Sequence, residues 1–227
     1  MILLAGIALP FLSTAQDVPD ESQIGAWYMY FFNKSFENSR FGIRGDYQFR
    51  FWDAVSDQEQ IMLRTGATYK PEKANVLFTM GYANITTGTF GESRNTVAEN
   101  RVYQEALVPQ VVGKRFLLAH RFRYEQRWIE GQDFRTRYRY NIFVNVPLNG
   151  TTLTERVFYM AFYNEIFING ERNAGDSRTV EMFDRNRTYL GVGYGLTAGM
   201  RMQLGWMRQA TDGWVKHQAQ VSIHHNF

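Results

Sequence analysis

Residues 134–146 alternate in polarity: Phe134, Tyr138, Tyr140, Ile142, Val144 and Val146 share one phase, and Arg135, Arg137, Arg139, Asn141 and Asn145 the other. A period of two is the side-chain period of a β-strand, and a helix of this sequence would scatter both sets around its surface. The same pattern recurs along the chain. Phe41, Ile43, Tyr47, Phe49 and Phe51 oppose Arg44, Asp46, Gln48 and Arg50. Ile61, Leu63, Ala67 and Tyr69 oppose Gln60, Arg64 and Thr68. Leu118, Phe122, Tyr124 and Trp128 oppose Arg121, Arg123, Glu125 and Arg127. Met200, Met202, Leu204 and Trp206 oppose Arg201, Gln203 and Gln209, and Ala219, Val221, Ile223 and Phe227 oppose Gln218, Gln220, Ser222, His224 and Asn226.

Eleven strands follow from these patterns and the turn-rich breaks between them: about 23–32, 39–52, 59–70, 74–85, 99–112, 116–129, 133–147, 155–168, 183–196, 199–209 and 214–227. Pro71-Glu72-Lys73, Gly113-Lys114-Arg115 and Thr197-Ala198-Gly199 read as tight turns, whereas 86–98 and 169–182 are long and polar and fall in the other phase. Short turns at one end and long loops at the other are the habit of outer-membrane barrels. Closed bacterial barrels have an even strand count, so the reading is a closed, antiparallel, up-and-down transmembrane β-barrel of 10 or 12 strands. Either the first candidate lies outside the sheet or a further strand completes it.

An alternating β-protein can place its apolar face inward, as soluble barrels do, or outward toward lipid. The outward assignment follows from three features. Tyr and Trp cluster near segment ends, where interfacial girdles sit. Charge is almost absent from the apolar phase, as it must be where a lipid-facing Arg or Lys costs roughly 2–4 kcal/mol. The last strand ends on Phe227 in that phase, the mark by which the outer-membrane assembly machinery takes up its clients. A mean hydropathy of −0.38 beside 16% aromatic residues also suits a barrel with a polar interior better than a bundle of membrane helices.

The start of the chain fits export. Residues 2–12 are almost wholly apolar, too short to span a bilayer as a helix, and Ser13-Thr14-Ala15 supplies small residues for cleavage before Gln16. Residues 1–15 are thus expected to be a signal peptide, and 16–227 a single barrel domain in the outer membrane of a Gram-negative bacterium.

The ionic phase is the candidate site. It gives the lumen Arg44, Arg50, Arg64, Arg101, Arg121, Arg123 and Arg127, then Arg135, Arg137, Arg139, Arg185, Arg187 and Arg201. Its carboxylates are Asp46, Glu99, Glu105, Glu125 and Glu165. The segments bearing Arg121–Arg127 and Arg135–Arg139 are joined by Glu130-Gly131-Gln132 alone, so their Arg rows face each other and need intervening carboxylates. Glu125 lies within one row, and Glu105 and Glu165 come from the flanking strands. This network either packs the lumen shut or lines a narrow passage that selects small anions.

Other chemistry is excluded or thin. There is no cysteine, and the formal charge of +3 gives no footprint for nucleic acid. No metal-binding spacing or phosphate loop occurs, and Gly191-Val192-Gly193-Tyr194-Gly195 lies within a strand, where glycine permits bending or close packing. No cofactor is expected. A lipid-active enzyme would use a Ser–His pair, but Ser222 and His224, two apart on one strand, stand about 7 Å apart and point in parallel, so they form no nucleophile–base bond alone. His120 and His217 fall on the apolar phase. A soluble barrel binding an apolar ligand is the third class, and it requires the aromatic face to point inward.

From Gly25 to Phe227 the chain resembles the bacterial outer-membrane family known as domain of unknown function 2490. The resemblance rests on Gly25-Ala26-Trp27, Tyr47-Gln48-Phe49-Arg50, Gly81-Tyr82 and Glu99-Asn100-Arg101-Val102-Tyr103-Gln104-Glu105. It rests further on His120-Arg121-Phe122-Arg123-Tyr124-Glu125-Gln126-Arg127, Arg137-Tyr138-Arg139, Asn164-Glu165-Ile166-Phe167 and Asn186-Arg187. The Arg-Phe-Arg-Tyr-Glu-Gln-Arg run is its most specific element. The resemblance implies a barrel in the outer membrane and carries no activity with it. The expected role is therefore non-enzymatic, structural or as a narrow anion-biased conduit, with outer-membrane lipid as surroundings.

Overall fold

A computed structural model describes residues 19–91 and 93–227, so the segment read as a signal peptide lies outside the described residues. The regular structure is all strand: β1 (Gly25–Ser35), β2 (Phe41–Phe51), β3 (Gln58–Tyr69), β4 (Leu77–Gly88), β5 (Thr96–Val112) and β6 (Phe116–Ile129). They are followed by β7 (Arg135–Pro147), β8 (Phe158–Asn169), β9 (Phe183–Gly195), β10 (Met200–Ala210) and β11 (Val215–Asn226). Each strand pairs with its sequence neighbours, and β1 closes on β11.

Among the described residues the closed sheet has eleven strands, not 10 or 12. With an odd number of up-and-down strands the first and last run the same way, so the closing seam must be parallel. It joins Gly25–Asn33 to Gln218–Asn226, while every other pair is antiparallel. The expectation of an even count failed because β1 does belong to the closed sheet and no twelfth strand balances it among the described residues. Followed once around, the registers return to β1 displaced by about 14 residues. For eleven strands this sets a tilt of about 40–45° and a radius of about 11 Å, a width that long side chains can fill.

The two ends differ. The end holding Phe227 carries the three-residue turn 113–115, in which Gly113 takes φ +59°, and the short break 196–199. The opposite end carries 89–95 and 170–182. The first of these loops is shorter than the 86–98 read from sequence, because β4 and β5 pair as far as Gly88 and Thr96. The Phe227 end is not uniformly tight: the connection 70–76 is as long as 89–95, and 148–157 runs to ten residues.

Outward and inward faces separate cleanly. Leu190, Leu204, Phe122, Tyr138 and Phe158 are exposed on the outer wall, and the charged phase turns inward. The inward side has two halves. From β2 to β7 and at Glu165 of β8 it is mainly ionic, with a small apolar cluster of Met62, Ala83 and Ile85 on β3 and β4. Trp27, Tyr159, Ala161, Tyr189 and Met207, on β1 and β8–β10, form a larger apolar cluster. Glycine makes room for these rings: a Cβ at Gly193 would collide with the phenol end of Tyr159, and one at Gly191 with that of Tyr189.

Candidate functional site

The β6–β7 register sets Arg123 opposite Arg139, Glu125 opposite Arg137 and Arg127 opposite Arg135. Two facing pairs are therefore like-charged and need carboxylates nearby. Glu105 and Glu165 from the neighbouring strands and Glu125 from β6 itself serve Arg123 and Arg139, and Glu99 of β5 serves Arg127. Glu105 on β5 takes Arg123 at 2.5 Å and Arg44 at 3.0 Å. Glu165 on β8 takes Arg121 at 2.7 Å and Arg139 at 2.6 Å. Glu125 itself takes Arg137 at 2.7 Å and Arg139 at 2.6 Å.

Two longer contacts, Arg121–Glu105 at 3.7 Å and Arg123–Glu125 at 3.8 Å, complete a closed ring of alternating sign. Its order is Glu105, Arg121, Glu165, Arg139, Glu125 and Arg123. Every carboxylate faces at least two guanidiniums, and Glu125 is only 1% exposed. Arg suits this geometry because its planar fork can serve two carboxylates at once and does not deprotonate.

Two smaller groups flank the ring. Glu99 accepts from Arg101 and Arg127, at 2.5 and 2.6 Å. Asp46 accepts from Arg64, whose Nη2 lies 2.8 Å away. Arg185 bonds Asp184, and Arg135 donates to Gln132 rather than to a carboxylate.

Arg50 and Arg187 are buried and have no carboxylate within 4 Å among the described residues. They are held instead by π faces. Arg50 lies 3.8 Å from the centroid of Trp27, and Arg187 lies 4.7 Å from Trp27 and 4.8 Å from Phe167. Arg139 lies over Phe167 at 4.3 Å. The sequence Arg50–Trp27–Arg187–Phe167–Arg139 thus runs across the lumen as a cation–π ladder that joins the ionic ring at Arg139. Amides finish the two unpaired cations: Arg50 donates to Gln48 and Gln60, and Arg187 to Gln209.

Four members escaped the sequence reading. Glu59 accepts the Trp27 indole N–H at 2.7 Å, and Asp184 accepts from Arg137 at 2.7 Å. Both stand at register shifts, one after Arg50 opposite β3 and one after Phe167 opposite β9. A β-bulge inserts one residue and turns a side chain to the other face, so strict alternation assigns these two acids wrongly. Phe167 is two residues beyond Glu165 and could have been placed by phase. Trp27 sits in a strand with aromatics on both faces, which offers no phase to read.

Ser222 and His224 need a correction. Ser222 Oγ and His224 Nε2 are hydrogen-bonded at 3.1 Å, although the strand alone was expected to keep them apart. The imidazole leans back along β11, stacked on Phe31 at a centroid distance of 4.8 Å. No carboxylate reaches the ring among the described residues, and the pair faces the lumen rather than the outer wall. His120 bonds Tyr140 and Gln110, and His217 bonds Trp206. Among the described residues no group of three His, Asp or Glu side chains is placed to hold a metal ion.

The site therefore binds its own parts together, through ion pairs and cation–π contacts between side chains of the barrel wall. Compared with known proteins, residues 24–220 match the model of a family described as "Protein of unknown function (DUF2490)". No curated protein and no solved structure matches the chain.

Proposed function

The chain belongs to the DUF2490 family, and we propose that it is an outer-membrane barrel with a sealed lumen, a membrane-embedded scaffold that works through its wall and rims and conducts nothing. The observation that carries this reading is the inversion of faces: exposed Leu190, Val192, Leu204 and Phe122 outside, and buried Glu125, Arg137, Glu165 and Arg139 inside. In water that arrangement would expose an apolar band all around the wall, far larger than a soluble monomer tolerates. In a bilayer both faces are satisfied.

Dimensions support the same reading. An eleven-residue strand such as β1 or β2, tilted as above, rises about 26 Å, close to the ~25 Å apolar band of outer-membrane barrels. In this reading the Phe227 end, with most of the tight turns, faces the periplasm, and exposed Phe227 is what the assembly machinery grips. The closed ring and ladder favour the structural role over an anion conduit, because each guanidinium of the ring is committed to a carboxylate of the wall. Ser222–His224 opens onto the lumen, away from lipid substrates, and the larger aromatic face points outward, the opposite of what a soluble ligand-binding barrel needs.

The test is refolding of the full chain into phospholipid vesicles, followed by density flotation and a gel-shift comparison of heated and unheated samples. Flotation with a compact unheated form is the expected result. A chain that stays monodisperse in water without detergent and never floats overturns the membrane reading.

A further inference from the structure

The outer wall is not evenly studded. On β5 the outward side chain of Ala106 is much shorter than those beside it, Phe78 on β4 and Phe122 on β6, and one step along Gln104 lies between Met80 and Tyr124. The trough between them continues over Ala67 on β3 and encloses about 620 Å³. Gln104 on its floor donates to Gln126 at 3.4 Å, and the side chains around it include the apolar Phe41, Ala67, Phe78, Ala106 and Phe122.

The Phe227 end of this trough is crowned by charge. The β3–β4 turn carries Lys70 and Lys73, and the β5–β6 turn carries Lys114 and Arg115; these turns bracket β4 and β5. All four are exposed, and none is in an ion pair among the described residues; Glu72, in the same turn as Lys70 and Lys73, pairs with Arg40. The β3–β4 turn is tied to the neighbouring strand that leads into the β5–β6 turn: Asn75 Nδ2 donates to the carbonyl of Pro109 on β5 at 2.8 Å.

We propose that the trough and its basic crown are a binding site for one anionic glycerophospholipid, an acyl chain lying over Ala106 and the phosphate held by the Lys70–Lys73 and Lys114–Arg115 turns. An apolar channel alone would accept any lipid chain. Four uncompensated cations at its mouth select a charged headgroup, since clustered Lys and Arg at a membrane surface attract anionic lipid. The proposal rests on the membrane reading above and specifies which lipid the wall retains.

The test uses the full chain in vesicles of equal parts phosphatidylglycerol and phosphatidylcholine with matched chains. The barrel is extracted in mild detergent, and the lipid that stays with it is counted by mass spectrometry. The native chain should retain phosphatidylglycerol over phosphatidylcholine by about ten-fold. The variant Lys70→Gln/Lys73→Gln/Lys114→Gln/Arg115→Gln, altered only in surface turns, should keep lipid but lose the preference. Ala106→Trp, which fills the trough from outside, should retain neither.

Equal retention of both lipids by the native chain overturns the proposal, as does a preference that survives the four-turn variant or an Ala106→Trp barrel that holds lipid as before. Flotation of the same samples separates the two claims. A barrel that floats without preference defeats the lipid site alone, and one that does not float defeats the membrane reading and the site with it.

Discussion

Glu125 and Arg137 meet across the β6–β7 pair with Nε and Nη2 of the guanidinium both donating to a single carboxylate oxygen, Oε2, at 2.9 and 2.7 Å. The other oxygen is left for Arg139 Nη1 at 2.6 Å. One carboxylate on β6 thus offsets two guanidiniums of the facing strand, and Arg101 and Arg123 stand within 3.8 Å of it as well.

Glu125→Gln should therefore be costly in spite of its similar shape. It leaves buried cations in mutual repulsion, the expensive way to break an ion network, and about 3–5 kcal/mol of stability should be lost. Urea unfolding of the vesicle-inserted barrel, followed by Trp fluorescence, measures it. A loss below about 1 kcal/mol would mean that the ring is solvated and slack.

Trp27 serves two guanidiniums and one carboxylate, so its variants should separate those roles. Trp27→Phe keeps a π face for Arg50 and Arg187 but drops the indole N–H to Glu59, and about 1–3 kcal/mol should go. Trp27→Ala removes the face as well and opens a void beside Tyr189 and Met207, raising the cost to about 3–5 kcal/mol. Equal costs in the same unfolding assay would show that the ladder contributes nothing.

The outer wall gives a direct contrast between lipid and water. Leu204 lies mid-strand on β10 and is 56% exposed. Facing lipid, Leu204→Arg should cost roughly 2–4 kcal/mol. At a wall bathed in water the same change would fall within about 0.5 kcal/mol.

Acid should loosen the β2–β3 turn. Partial burial by itself pushes the Asp53 carboxyl up, but bonds from the Ser56 hydroxyl and from the backbone N–H groups of Asp57, Ser56 and Val55 outweigh it and bring it down to about 2. A carboxylate depressed in the fold stabilises it above its unfolded value, near 4, and that contribution is lost as pH falls through 2. Carbon-detected NMR titration of Asp53 should show a midpoint near 2, and Asp53→Asn should abolish the local transition.

Much of this architecture is written in the alternation. The strand read over 116–129 coincides with β6, and the inward phase of its Arg–Glu row follows from period two alone. The parity of the barrel is not legible that way. β1 reads Trp27-Tyr28-Met29-Tyr30-Phe31-Phe32, apolar on both faces because its inner face packs the aromatic cluster rather than the ionic half. A strand without a polar phase gives no reason to count it into the sheet or leave it out. Glu59 and Asp184 were hidden by bulges, whose extra residue shows only in the pairing. The reach of His224 back to Ser222 was hidden because side-chain lean depends on the ring it stacks upon.

The sealed lumen is tested most directly by single-channel recording of the refolded barrel in a planar bilayer, with insertion verified on the same preparation. The ring and ladder predict a stably inserted protein that passes no steady current at either polarity. Steady, anion-selective conductance through the native barrel, reduced in Arg137→Gln and Arg139→Gln, would contradict the sealed lumen and make those guanidiniums the lining of a passage.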